Sequence, residues 1–252
     1  LRKNKDLKKV YDDVFANGEN NFWSFEPIEI HQQVLSPQIY KDKKVLDVGC
    51  GSGDVCIGIS KLGAKSVLGI DYSDEAIKLA NEKNDRDNVE FKVEDYKNIT
   101  DKYDVITLVG VLEHIENPFQ AVSKLYDLLD EGGKLVIESP THQNIRGYIW
   151  MTLQILFDVP MSLTDINFFS PFDFQEFAHK LDMDLEWHTF DFSRGNGKRM
   201  VIDLEKRLTN ALRDAKLDNS NVPILIDWLK KSSQYDNVKG HSGSEGLYIL
   251  TK

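Results

Sequence analysis

An apolar stretch, Val45-Leu46-Asp47-Val48, runs straight into Gly49-Cys50-Gly51-Ser52-Gly53. Glycines at alternate positions let a backbone turn tightly and lie close against a ligand. The run reads Gly-x-Gly-x-Gly, with Asp54 where the last glycine of the dinucleotide fingerprint would fall and with the acid Asp47 inside the strand; both depart from that fingerprint. Further acids stand near the ends of later apolar runs, Asp71 after Gly69-Ile70 and Asp95 after Glu94. Two histidines follow, His114 at the end of Val109-Gly110-Val111-Leu112-Glu113-His114 and His142 in Ser139-Pro140-Thr141-His142-Gln143-Asn144. The ordinary pKa of an imidazole suits general-base work near neutral pH.

Such residues act together only if a scaffold collects them, and the hydrophobic pattern supplies one. Short apolar runs at 45–48, 66–70, 89–93, 103–109 and 134–138 predict five strands. Helical patterns alternate with them. One runs from Asp54 to Leu62 and stops at Gly63, one is capped by Ser73 and runs to about Lys83, and one starts at Asn117-Pro118 and stops at Gly132-Gly133. Strands alternating with helices imply a parallel sheet covered on both faces, with ligands at the carboxyl ends of the strands. Ahead of this core, Leu7, Val10, Val14 and Phe15 recur at helical spacing, Phe22, Trp23 and Phe25 break the pattern, and residues 28–40 read as a second helix. Behind it come an apolar segment from Ile145 to Val159, a helix opened by Ser170-Pro171, a strand over 184–192, helices over 199–217 and 223–231, and a last strand over 246–251.

The glycine run resembles the first motif of class I S-adenosylmethionine-dependent methyltransferases. Gly69-Ile70-Asp71-Tyr72, Glu94-Asp95-Tyr96, Asp104 to His114 and Glu131-Gly132-Gly133-Lys134-Leu135 resemble that family's later motifs, in its order. The resemblance implies a doubly wound α/β sheet of seven mostly parallel strands in the order 3-2-1-4-5-7-6, with an antiparallel last strand. It places an N-terminal helical lid at 1–40, the cofactor-binding core at 41–194 plus 244–252 with an acceptor-recognition segment at 143–168, and a helical insertion at 195–243 before the last strand.

The resemblance also implies roles. Asp71 would accept both ribose hydroxyls, Asp95 the adenine amino group, and Tyr72 or Tyr96 would pack on the ring. Gly49, Cys50 and Gly51 would pass the amino-acid tail, Asp47 would orient that loop or order water near the ammonium, and Val109 and Gly110 would offer backbone to the methionine end. Trp23 would close over the cofactor, together with Phe22, Phe25 and Tyr11. His114 is the leading general base and also borders the cofactor; His142 is the next candidate, and either has a structural role as its plainer reading. Arg146, Tyr148, Trp150 and Phe169, with Phe168, would line the acceptor pocket. The basic cluster Arg194, Lys198, Arg199, Arg207 and Arg213 would receive an anionic acceptor or simply be a solvated helix face. Ubiquinone and small-RNA methyltransferases carry a Glu-x-x-Glu-His run that holds a divalent ion. Here Gly110 replaces its first glutamate, so no metal is assigned, although Glu113, His114 and His142 could form a reduced site.

The implied reaction is methyl transfer from S-adenosylmethionine to an oxygen of a small-molecule, sugar or conjugated acceptor, with S-adenosylhomocysteine as product. Another use of the sulfonium, such as cyclisation, and a non-catalytic cofactor-binding subunit stay open beside it. So does a nicotinamide or nucleotide-sugar enzyme on a similar core, which the missing glycine and the Asp95 motif oppose. Of 252 residues 41% are hydrophobic, and the net charge is −10, which speaks against duplex nucleic acid as main partner. A monomer or homodimer is expected. Two cysteines, no apolar run of transmembrane length and no signal peptide behind Leu1-Arg2-Lys3 predict a cytoplasmic chain.

Overall fold

Alternation along a strand sends neighbouring side chains to opposite faces of a sheet. Val45 and Leu46 therefore enter different cores, and the same split repeats across the neighbouring strands. The computed structural model describes residues 7–17, 27–159, 162, 164–233 and 242–252. Seven strands form one sheet: β1 (Lys44–Val48), β2 (Ser66–Asp71), β3 (Val89–Val93), β4 (Tyr103–Val109), β5 (Leu129–Pro140), β6 (Asp184–Phe190) and β7 (Glu245–Thr251). Their order is β3-β2-β1-β4-β5-β7-β6. β7 runs antiparallel to both β5 and β6, and the other pairs are parallel. The order reverses between β1 and β4, which opens a crevice beyond their carboxyl ends.

Helices cover both faces. On one side lie α2 (Pro27–Val34), α3 (Pro37–Tyr40), α4 (Asp54–Lys61) and α5 (Asp74–Lys83), which bury Val34, Tyr40, Ile59 and Ile77 against the sheet. On the other side lie α6 (Pro118–Asp127) and α8 (Pro171–Leu181), with Val122, Leu125, Phe174 and Phe177 inward. A third core stands apart from both. It joins α7 (Ile145–Phe157), α9 (Lys198–Asp214) and α10 (Val222–Ser232) around Trp150, Met200, Leu204 and Ile226. The remaining helix, α1 (Leu7–Asn17), buries Tyr11 and Phe15 against Ala76 of α5. No described helix is long and apolar enough to cross a membrane.

Three expectations change. The helix expected over 28–40 is two helices, because Pro37 disfavours helical backbone at Ser36, which is extended at φ −123°, ψ 121°. The helix from Pro118 ends at Asp127 rather than at Gly132-Gly133. Those glycines instead belong to β5, where the register against β4 jumps from Tyr103↔Leu129 to Val105↔Lys134. Gly132 takes φ +70° in that irregular stretch, and a Cβ on Gly133 would lie 2.8 Å from the Asp130 carbonyl oxygen. The strand expected over 184–192 stops at Phe190.

Phe174 is fully buried and stacks on Tyr248 of β7, centroids 3.6 Å apart and rings within 11° of parallel. Phe174→Ala is expected to cost about 3–5 kcal/mol. Urea unfolding should show a lower midpoint at unchanged slope; a loss below about 1 kcal/mol would contradict the packing described.

Candidate active site

The crevice is built from the turn after β1. The amides of Gly49 and Cys50 both donate to the Ile70 carbonyl, at 2.8 and 3.0 Å, and fold the loop back over β2. Gly49 and Gly51 adopt left-handed φ of +71° and +51°. A Cβ on Gly49 would come within 2.4 Å of the Val111 side chain, so glycine is required there on two counts.

Gly51 then donates its amide to Asp71 Oδ2 at 3.1 Å, while the Ser73 amide donates to Oδ1 at 2.9 Å. Both oxygens are thus fixed, and each keeps a lone pair for a further donor. Burial pushes the Asp71 carboxyl up, and the backbone amides oppose that. Asp47 lies beneath the loop, only 1% exposed. It accepts from Thr107 Oγ1 at 2.6 Å and Cys56 Sγ at 3.1 Å. Burial pushes its pKa up to about 6 against those two hydrogen bonds.

Helix α1 closes one side. Lys8 Nζ reaches the Asp74 carboxylate at 2.6 Å and the Tyr72 carbonyl at 2.9 Å, and Asp12 accepts from the Ser73 hydroxyl. Phe15 lies against Gly51, and the Tyr11 ring meets Tyr72 edge-on at 6.3 Å. The Tyr11 hydroxyl and His114 Nε2 are 2.8 Å apart.

His114 sits in a 3-10 turn, Leu112–His114, just past β4. Its Nδ1 is 3.2 Å from the Thr164 carbonyl oxygen and 3.4 Å from Asp165 Oδ1. Both are acceptors, so the ring proton belongs on Nδ1. That leaves the Nε2 lone pair facing the Tyr11 hydroxyl, which donates. Burial lowers the His114 pKa, while the Asp165 carboxylate raises it. Burial also pushes the Tyr11 hydroxyl far above the ordinary phenol value, so it stays protonated. Next to this pair Glu113 is buried and accepts from Ser139 Oγ at 3.1 Å; burial and Asp165 push its pKa up to about 8.

One cavity collects most of the expected cofactor residues. The loop residues Asp47, Gly49, Cys50 and Gly51 line it, as do Asp71 and Tyr72. Val109, Gly110 and His114 complete the set. Asp95 and Tyr96 are not among the lining residues: the Asp95 carboxylate accepts from the Lys97 amide at 2.9 Å, and Tyr96 packs against the core under the sheet. Trp23, with Phe22 and Phe25, lies outside the described residues.

The expected acceptor residues disperse. Trp150 is 2% exposed at the centre of the third core, with the Arg207 guanidinium 5.1 Å over its ring. Phe169 is core as well, packed on Phe174 and Phe177. Arg146 is paired with Asp203 at 2.8 Å, and Tyr148 stands exposed beside a groove between α7, α9 and α10. His142 lies off the cavity; its Nδ1 donates to the Phe169 carbonyl at 3.2 Å, and burial lowers its pKa to about 4. Of the basic cluster, the cationic heads of Arg194, Arg199, Arg207 and Arg213 each rest on a carboxylate, of Glu245, Glu29, Asp203 and Asp214 respectively. No described residue of the segment 143–168 lines the cavity; after α7, Thr164 and Asp165 meet His114, which does. Among the described residues no three His, Cys, Asp or Glu side chains gather as a metal site.

Sequence reasoning passed over Ile30, His31 and Glu138, which line the same cavity. Only Glu138 carried a signal, an acid within an otherwise apolar strand end.

A family model described as a methyltransferase domain matches residues 26–186. The chain is 32% identical over 126 residues to a ubiquinone biosynthesis O-methyltransferase of Coxiella burnetii, across 48% of this chain and 51% of that protein. It is 41% identical over 102 residues to a ribosomal protein L11 methyltransferase of Lactobacillus johnsonii, across 39% of this chain and 31% of that one. The chain therefore spans about half the length of the first curated relative and less than a third of the second. A chain in the solved complex of the Haloferax volcanii Trm112 methyltransferase activator with a methyltransferase has the same fold, with a TM-score of 0.63 at 14% identity over 100% of this chain and 98% of that one.

The charge state of His114 is open to measurement. Long-range proton–nitrogen spectra of labelled imidazoles should show His114 titrating below the ordinary histidine value with its proton on Nδ1. Asp165→Asn removes the charge that favours the imidazolium and should lower the value further. A titration above the ordinary value would contradict this geometry.

Proposed function

The chain belongs to the class I S-adenosylmethionine-dependent methyltransferases, and we propose from that premise that it methylates an oxygen of a small or sugar-type acceptor. The observation that carries this reading is the convergence in one cavity of the glycine loop, Asp71 and the Tyr11–His114 pair. The cavity's charge fits the cofactor. Asp47, Asp54, Asp71 and Glu138 line it, and no described Lys or Arg does. When bound, S-adenosylmethionine supplies a methyl group on a positively charged sulfur whose neutral thioether is the leaving group.

The rest falls to the protein. Asp71 offers one free lone pair per oxygen to a pair of ribose hydroxyls, held in place by the Gly51 and Ser73 amides. The glycine loop brings backbone rather than side chain against the ligand. Helix α1 and Ile30 of α2 exclude water from the crevice. Proton removal from the acceptor hydroxyl is assigned to His114 Nε2 by way of the Tyr11 hydroxyl, which passes its proton to the ring as it takes the acceptor's. Asp165 and the Thr164 carbonyl keep the ring in the tautomer this needs.

The preference for oxygen rests on the ubiquinone-type relative. The match to a ribosomal protein L11 methyltransferase over a similar length supports a reading in which the shared core does not choose the acceptor. Acceptor choice is assigned instead to α2 and to residues 164–167, which border the His114 end. Two buried free thiols, Cys50 and Cys56, suit a reducing compartment such as the cytoplasm.

Calorimetric titration should show binding of S-adenosylmethionine and S-adenosylhomocysteine, with binding lost in Asp71→Ala and none to NADH. With an acceptor found by screening hydroxyl and amine panels, the product should carry an O-methyl group. His114→Ala should lower its turnover by about 10²–10⁴-fold. A folded chain that binds neither sulfur ligand, or a product methylated on nitrogen, would overturn the corresponding half of this reading.

A further inference from the structure

The cavity's floor holds a carboxyl that the proposed reaction does not use. β4 and β5 pair with Val109 opposite Glu138, and β1 and β4 with Asp47 opposite Thr107. Thr107 and Val109 are two residues apart, so Asp47 and Glu138 point to the same face of the sheet. That face carries the glycine loop and the cavity, which both acids line. Their surroundings differ. Asp47 has each oxygen occupied by a protein donor, as does Asp71. Asp54 reaches Lys83 and Ser52. Glu138 is 2% exposed, and its Oε1 is sealed from solvent with no hydrogen-bond partner among the described residues.

A buried carboxyl oxygen without a donor is costly, and native proteins keep few of them. The charged groups around Glu138 make this one more costly still. Glu245 of β7 and Glu113 after β4 are both acids, and the nearby cation, Arg194, is held by Glu245 at 2.6 Å. His31 of α2 lines the same cavity. Burial and the two neighbouring acids push the Glu138 carboxyl well above the usual carboxylate range. Among the described residues the site therefore lacks one positive charge with hydrogens to donate.

We propose that Glu138 is the counter-charge for the α-ammonium of the bound cofactor's amino-acid tail. This rests on the reading of the cavity as an S-adenosylmethionine site. An ammonium supplies three donors and the missing charge, and it would sit on the β4–β5 side of the glycine loop, where Glu138 neighbours Val109. Pairing requires the carboxylate form, so a carboxyl held neutral by its surroundings must give its proton to solvent as the ligand binds.

The test is a cycle of two proteins and two ligands, wild type and Glu138→Gln against S-adenosylhomocysteine and its deamino analogue. Titrations in buffers of different ionisation enthalpy read proton release alongside affinity. Wild type should bind S-adenosylhomocysteine about 10–100-fold tighter than the deamino analogue and release a proton only with the former. Glu138→Gln should lose that discrimination and that proton. The wild-type ligand comparison stands even if the variant folds poorly. Discrimination and proton release unchanged in Glu138→Gln would overturn the proposal. Equal affinity of wild type for both ligands would overturn it too. A folded wild type that binds neither ligand would instead overturn the cofactor reading on which it rests.

Discussion

Two amides and one carbonyl hold the site together. Gly49 and Cys50 both donate to Ile70, the last apolar residue before Asp71. That fork ties the end of β1 to the end of β2 where the strand order reverses. The loop cannot extend outward, so its next amide, on Gly51, lands on Asp71. Asp71 in turn sets Ser73, which caps α5, and α5 is the surface on which α1 rests. Left-handed glycines are the condition for all of it, because a side chain at position 49 would strike Val111.

The electrostatics follow from the same crowding. Strand ends that converge on a dry crevice bring acids with them, and burial raises the cost of each charge. The protein meets that cost in three ways. Asp47 and Asp71 are furnished with donors, Glu245 is paired with Arg194, and Glu113 is held near neutrality with a serine hydroxyl for company. The result is a cavity lined by four acids and, among the described residues, by no lysine or arginine.

Much of this was legible in the sequence because backbone constraints leave local traces. The alternation of strand and helix patterns pointed to the parallel sheet, and the resemblance carried by the glycine spacing and the acid after Gly69-Ile70 implied its order and most of the cavity. What escaped is non-local. Tyr11 and His114 are 103 residues apart, and nothing within either segment announces the contact. Trp150 and Phe169 were read as acceptor contacts because aromatics near a site suit either lining or core, and only packing decides between them. His142 stands at the end of β5 as expected, but its ring is tied to the Phe169 carbonyl, off the cavity. The paired glycines at 132–133 looked like a helix stop and serve a strand irregularity, Gly132 through its left-handed φ and Gly133 through close backbone approach.

The third core has a consequence for how this chain could diverge. Its helices come from two separate stretches, α7 before β6 and α9 with α10 after it, and Trp150 joins them. Trp150 of α7 is buried in the core that α9 and α10 also fill. Exchange of one alone would strip Trp150 or its leucine neighbours of apolar partners, whereas exchange of both would leave β1 to β5 and the glycine loop in place. The two stretches are therefore expected to change together, carrying α8 and the edge strand β6 that lie between them.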